Sequence, residues 1–163
     1  MKKIRVLFVC ARNGVQSPMA EGLLKAVDSA HFEVLSAGIE RGETHPLTIE
    51  VMREVNIELE GRATKASTDV SGLGFDFVIT LCDRSRRECP KFPKAEVVHW
   101  QFPDPLAPMD STDRERLFRS LCDQIAQRIR LFALVQVRFT EVALSAVAGA
   151  NRHSGASLEI SHS

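Results

Sequence analysis

Residues 6–24 read VLFVCARNGVQSPMAEGLL, and this stretch decides the fold. It begins inside a short apolar, β-branched run, residues 3–10, which has the composition of a strand buried on both faces. It ends in a segment opened by Ser17-Pro18, with Met19, Leu23, Leu24 and Val27 at helical spacing. Ser17 is the expected N-cap and Pro18 the expected first helical residue. Between them lies a polar turn from Ala11 to Gln16. A strand that passes through a tight loop into a helix N-terminus starts an alternating α/β chain.

The rest of the sequence continues the alternation. Strands are expected at 32–37, 76–82 and 95–100. A helix is expected from Pro46 to Val55 and a short one within 64–72. A last helix is expected from Thr112, where Thr112 and Glu115 have capping-box spacing. Its apolar stripe is Leu117, Leu121, Ile125, Ile129 and Phe132. A polar, basic loop with Arg84, Arg86, Arg87, Lys91 and Lys94 separates the last two strands. The sheet should therefore be mostly parallel with helices on both faces. Val135 to Leu144 reads equally as strand or helix. Asn151 to Ser163, rich in Ser, Gly, Ala and His, reads as disordered. One domain is expected over 1–132, with a partly disordered C-terminal extension over 133–163.

Composition narrows the class. The 163 residues carry 21 basic and 21 acidic side chains, 44% hydrophobic residues and four cysteines. That length supports a single sizeable core. Zero formal net charge argues against a nucleic-acid binder. No unbroken apolar run reaches the roughly 18–20 residues that span a bilayer, so no membrane association is expected. The apolar start gives way to Arg12-Asn13, which is not a signal-peptide pattern. In a reducing cytoplasm, the expected compartment, four cysteines point to chemistry or packing rather than to structural disulfides.

The loop from Cys10 to Ser17 carries the first chemistry. Backbone amides in such a loop converge on an anion, and the helix N-terminus adds to the field. A cysteine at the loop's start sits in that field, which favours the nucleophilic thiolate. Asn13 and Gly14 tolerate left-handed backbone. Ser17 can hydrogen-bond the thiolate. The plainer reading is a buried cysteine at a strand end, and the strand–loop–helix context argues against it.

Residues 6–24 resemble the phosphate-binding loop of low-molecular-weight protein tyrosine phosphatases. They equally resemble that of the arsenate reductases built on the same fold. Ser36-Ala-Gly-Ile39 and Pro46 with its following helix are similar to that family's second strand and second helix. The resemblance runs from about residue 4 to residue 132. It implies a flavodoxin-like four-stranded parallel sheet, with the active site at the carboxyl ends of the strands. It also implies an arsenate or phosphate oxyanion bound by the loop from Arg12 to Ser17, through Asn13, Gly14, Val15, Gln16 and Ser17. One position departs: the family loop is Cys, five residues, Arg, then Ser or Thr, and here Gln16 stands at the Arg. A glutamine donates a hydrogen bond without charge, and losing a buried charge-assisted contact costs about 2–5 kcal/mol of binding. Arg12 either leans over the pocket or is a solvated loop arginine.

Cys82 and Cys89 form the second constellation. Their spacing fits neither a Cys-x-x-Cys redox motif nor a zinc knuckle. Across a helical segment their Cα atoms would lie about 10 Å apart, beyond the roughly 4.4–6.8 Å of a disulfide. A bond between them would require the segment to unwind. Spacing alone allows one strand cysteine and one incidental loop cysteine. However, Val78-Ile-Thr-Leu-Cys82 and Glu88-Cys-Pro90 resemble the redox segment of thioredoxin-coupled arsenate reductases. That resemblance implies a relay: Cys10 attacks arsenate, Cys82 attacks Cys10, Cys89 attacks Cys82, and thioredoxin reduces Cys82–Cys89. The neighbouring arginines either tune these thiols or form a solvated loop. Cys122, beside Leu121 on the last helix, reads as packing.

The third constellation is His99-Trp-Gln-Phe-Pro-Asp104-Pro105. It resembles the His-Trp-x-Phe-x-Asp-Pro segment of the same reductases. Alone, Asp-Pro would be a turn. The resemblance implies that Asp104 protonates a leaving oxygen. Leu106 follows where the phosphatases usually carry Tyr, which favours the reductase.

The reading is therefore an arsenate reductase using Cys10, Cys82, Cys89 and Asp104, a function that confers arsenic resistance, with no metal or other cofactor required. The alternatives are a tyrosine phosphatase working through a Cys10 thiophosphate, or an oxyanion-binding redox module weakened at Gln16.

Overall fold

The computed structural model describes residues 2–59 and 64–155. Four strands, β1 (Ile4–Cys10), β2 (Phe32–Gly38), β3 (Phe77–Thr80) and β4 (Glu96–His99), form one sheet in the order β2-β1-β3-β4. Every pairing is parallel. The helices are α1 (Gln16–Asp28), α2 (Pro46–Glu54), α3 (Asp83–Glu88) and α4 (Ser111–Gly155), with a 3₁₀ turn at Ser67–Val70. The alternating α/β pattern read from the sequence is thus the architecture formed.

The two-residue period of β1 divides the interior. Val6, Phe8 and Cys10 face one core with Met19, Leu24, Met52, Phe118 and Ile125. Leu7 and Val9 face a smaller core with Val70, Phe75, Val78 and Phe92. The long helices α1, α2 and α4 cover the first face, while the 3₁₀ turn and Cys89 at the end of α3 border the second. The strand order reverses direction between β1 and β3. Their carboxyl ends therefore open a crevice at the switch point, where ligands bind in open parallel sheets.

Several local expectations change. Helix α1 starts at Gln16, two residues earlier than Ser17-Pro18 implies. Its cap is Val15, whose hydrocarbon side chain has no acceptor to offer, and the Ser17 hydroxyl is turned inward to Cys10 instead. The basic stretch expected as loop between β3 and β4 contains α3. In α4, Arg114 N bonds to Asp110 O, so Thr112 lies inside the first turn and is not its cap. Phe118 is fully buried where Leu117 was expected.

Helix α4 also runs on without a break. Val135 to Leu144, open between strand and helix, is helix, and so are Asn151 to Gly155 of the segment read as disordered. Residues 156–163 of that segment lie outside the described residues. Because the chain is helical here, scattered apolar residues accumulate on one element. By length and composition alone, α4 is apolar enough to cross a membrane, and only 6% of its most apolar 18-residue window is buried. No unbroken apolar run of that length appears in the sequence, because Arg138 and Glu141 interrupt the segment.

Candidate active site

Strand β1 carries Cys10 to the carboxyl edge of the sheet, opposite Gly38 of β2. The chain then turns tightly enough to bring Arg12 and Asn13 over Gly38. A Cβ on Gly38 would come within 2.7 Å of the Arg12 carbonyl carbon and the Asn13 nitrogen. Asn13 takes the left-handed conformation, φ 56°, which its short polar side chain tolerates. Gly14 does not. Its requirement is space: a Cβ there would meet the Glu43 carbonyl oxygen at 2.7 Å. The Gly14 carbonyl is fixed from α2, accepting from His45 N at 3.0 Å and Thr48 Oγ1 at 2.9 Å. The amides of Arg12 to Val15 donate to no protein acceptor among the described residues, which leaves them for an anion.

A buried hydrogen-bond chain supports the nucleophile from behind. Ser17 Oγ lies 2.9 Å from Cys10 Sγ and accepts from Asn13 Nδ2 at 2.8 Å. The single Ser17 proton lies between the sulfur and the more distant Ala37 carbonyl, at 3.4 Å, so the sulfur is its better partner. Asn13 Nδ2 also donates to Ser36 Oγ at 2.9 Å, and its Oδ1 accepts from Lys65 N at 3.2 Å. The side chains of Asn13 and Ser17, residues expected among the oxyanion ligands, therefore sit behind the loop and brace it. Ser36 was quoted in the sequence only as part of a strand motif. Its hydroxyl becomes visible as a support once β2 is placed beside β1.

In front of Cys10 is a cavity of about 100 Å³. Ala11, Arg12, Gly14, Val15 and Gln16 line one side of it, and Asp104, Pro105 and Leu106 the other. Gln16 is only 5% exposed, and its Nε2 donates to the Pro103 carbonyl at 3.1 Å. Asp104 Oδ1 accepts from Leu106 N at 2.9 Å, which fixes the carboxylate at the turn after β4. Arg12 lines the cavity, yet its Nε donates to Glu40 Oε1 at 2.9 Å and its side chain is 66% exposed. Both readings of Arg12 thus meet in one residue, at the rim and largely solvated.

Cys82 opens on an adjoining hollow of about 340 Å³, which shares Ala11, Gln16 and Asp104 with the Cys10 cavity. It caps α3, its Sγ accepting from Ser85 N at 3.5 Å. The Ser85 hydroxyl donates back to Cys82 O at 2.9 Å. Cys82 packs on the core that contains Cys10, whereas Cys89, at the other end of α3, packs on the opposite face of the sheet. Burial pushes the Cys89 thiol up to about 11. Helix α3 therefore separates the two cysteines, as expected for a helical segment between them.

Glu40 links the two regions and went unnoticed in the sequence. It accepts from Arg12 and from Arg84 Nη1, at 3.2 Å, and Arg84 Nε holds Glu88 at 2.9 Å. The guanidiniums of Arg84 and Arg12 hold the Glu40 carboxyl below the usual carboxylate range. Cys122 lies in the core, its sulfur 3.8 Å from Met52 Sδ, and burial raises its thiol to about 11. That is the packing place expected for it. Among the described residues, no group of three His, Cys, Asp or Glu side chains is placed to hold a metal ion.

Residues 5–143 match the family model described as low molecular weight phosphotyrosine protein phosphatase. The chain is 35% identical over 136 residues to an arsenate reductase of Halalkalibacterium halodurans, an overlap covering 82% of this chain and 97% of the relative. Among solved structures, an arsenate reductase in the phosphate binding state is similar with a TM-score of 0.68 and 30% identity, over 79% of this chain and 95% of that one. A thioredoxin-dependent arsenate reductase of Corynebacterium glutamicum is similar with a TM-score of 0.65 and 29% identity, over 83% of this chain and 63% of that one.

Proposed function

The chain belongs to the low-molecular-weight phosphotyrosine protein phosphatase family, and from that premise we propose that it works as an arsenate reductase. The observation that carries the proposal is the placement of Cys82. It faces a hollow that shares three lining residues with the Cys10 cavity, and α3 joins it to Cys89. A phosphatase needs the first cysteine alone. A second and third on a short, separable helix serve thiol–disulfide exchange.

Arsenate enters the Cys10 cavity, where the free amides of Arg12 to Val15 and the Gln16 side chain offer donors to its oxygens. The Cys10 thiolate forms a bond to arsenic, and an arsenate oxygen leaves as water with a proton from Asp104. Cys82 then attacks the Cys10 sulfur. The sulfur–arsenic bond breaks, its electron pair stays on arsenic, and arsenite departs. The Cys10–Cys82 disulfide now holds the two oxidising equivalents. Cys89 attacks Cys82, releasing the Cys10 thiolate and leaving Cys82–Cys89. A dithiol protein of the thioredoxin class reduces that bond and completes the cycle. Thioredoxin dependence in the Corynebacterium relative supports this choice of reductant. A chain of four cysteines, three assigned to thiol chemistry and one to packing, suits a reducing compartment, the cytoplasm.

The test is arsenate-dependent NADPH oxidation with thioredoxin and thioredoxin reductase. Turnover abolished by each of Cys10→Ser, Cys82→Ser and Cys89→Ser supports the relay. Hydrolysis of a phosphoaryl ester that survives Cys82→Ser and Cys89→Ser would instead select a phosphatase. Oxyanion binding without either turnover would select a module weakened at Gln16.

A further inference from the structure

Helix α4 has two apolar sides. Ile129 and Ala133 are buried on the first core, and Val137 packs against it. Leu131, Val135, Phe139, Val142 and Ala146 share the opposite face, within roughly 80° of the circumference at about 100° per residue. Leu131 is 58% exposed, Val135 50%, Phe139 73% and Val142 69%. A helix that is apolar all round is normally covered. No element among the described residues covers this face.

The flanking charges bear on its occupant. Arg138 and Glu141 flank the stripe on the same side, three residues apart. In an antiparallel pair of identical helices, residues of one flank meet the same flank of the partner. A twofold axis midway between Phe139 and Thr140 sets Arg138 beside Glu141 of the partner subunit, and Glu141 beside the partner subunit's Arg138. The same register places Val135 between Val142 and Ala146 of the partner subunit. It places Leu131 between the partner's Ala146 and the partner's Ala150. A parallel pair brings the two flanks against opposite sides and leaves these charges apart. A bilayer would have to bury both charges near the middle of the apolar stretch, without partners. We propose that the outer face of α4 docks a second copy of this chain, antiparallel, through Leu131, Val135, Phe139 and Val142, with paired Arg138–Glu141 contacts setting the register.

The test uses the full chain in sedimentation equilibrium. The expected mass is twice 18.1 kDa. Phe139→Glu should return the monomer with an unchanged circular dichroism spectrum, since that side chain touches no core. Arg138→Glu and Glu141→Arg should each weaken the dimer at least about tenfold, and the double exchange should recover that loss. A monomer persisting to about 100 µM would overturn the proposal. So would a dimer that the double exchange does not rescue. So too would a monomer that co-sediments with phosphatidylcholine–phosphatidylglycerol vesicles and loses that binding on Phe139→Glu, which would assign the face to a membrane.

Discussion

The side-chain amide of Gln16 donates to the carbonyl of Pro103 at 3.1 Å. It therefore ties the anion loop to the segment that carries Asp104, across the cavity in front of Cys10. Where the family places a guanidinium, this chain has a neutral strut. Gln16→Arg should keep a donor for Pro103 and add the missing charge, raising kcat/KM for arsenate at least about tenfold. Gln16→Ala should lower it, since it removes both donor and strut. Equal rates for the wild type and Gln16→Arg would show that the substitution is no handicap.

Glu40 holds Arg12 at the rim and Arg84 on α3. Glu40→Gln should free the Arg12 guanidinium toward the cavity mouth, while Arg84 stays held by Glu88. The inhibition constant for phosphate should then fall about threefold, more at low ionic strength than at high. Arg12→Ala in the Glu40→Gln background should abolish that gain. If it does not, Arg12 is not the charge that acts.

Cys89 is half-buried, and desolvation pushes its thiol up to about 11. It should resist alkylation in the reduced protein at neutral pH and react faster as the pH rises. Ser85→Ala removes the hydroxyl that bonds Cys82 O at the start of α3. It should raise Cys89 alkylation several-fold by loosening that helix. Cys122 should stay inert in both proteins, and Cys122→Ser should leave turnover unchanged.

His45 caps α2, its Nδ1 accepting from Leu47 N at 3.0 Å. Burial first, then the charge of Arg114, lowers its pKa below the ordinary 6.5. A histidine depressed in the folded state favours folding while neutral. Its contribution is therefore complete above about 6.5 and is lost as the pH falls through the folded value. Because His45 N also holds the Gly14 carbonyl, the anion loop should loosen along with the cap. His45→Asn keeps a capping side chain and does not titrate. Its denaturation midpoint should drop less than that of the wild type between pH 8 and pH 5, measured with guanidinium chloride.

The alternation of strands and helices was legible because buried parallel strands are continuous apolar runs. Residues 3–10 and 76–82 read that way without help from the rest of the chain. Cys10 stood out because it ends a strand at a tight loop, whereas Cys82, Cys89 and Asp104 stood out only through the resemblance of their segments to those of arsenate reductases. What was not legible is contact across the sheet. Nothing near Ser36 or Glu40 says that β2 will lie beside β1 and bring Ser36 to Asn13, and Glu40 to Arg12. Ser17 misled for a related reason. It has the chemistry of an N-cap, but burial beside Cys10 offered its hydroxyl a better partner. The length of α4 was hidden by Arg138 and Glu141, which break the apolar run without breaking the helix.

In the proposed cycle Cys82 resolves the arsenic adduct on Cys10. The direct measurement is a single turnover of Cys89→Ser with one equivalent of arsenate and no external thiol, read by arsenite release and by mass spectrometry of peptides. The expected result is one arsenite per chain and a Cys10–Cys82 disulfide. No arsenite, or a disulfide joining Cys10 to Cys122, would contradict it.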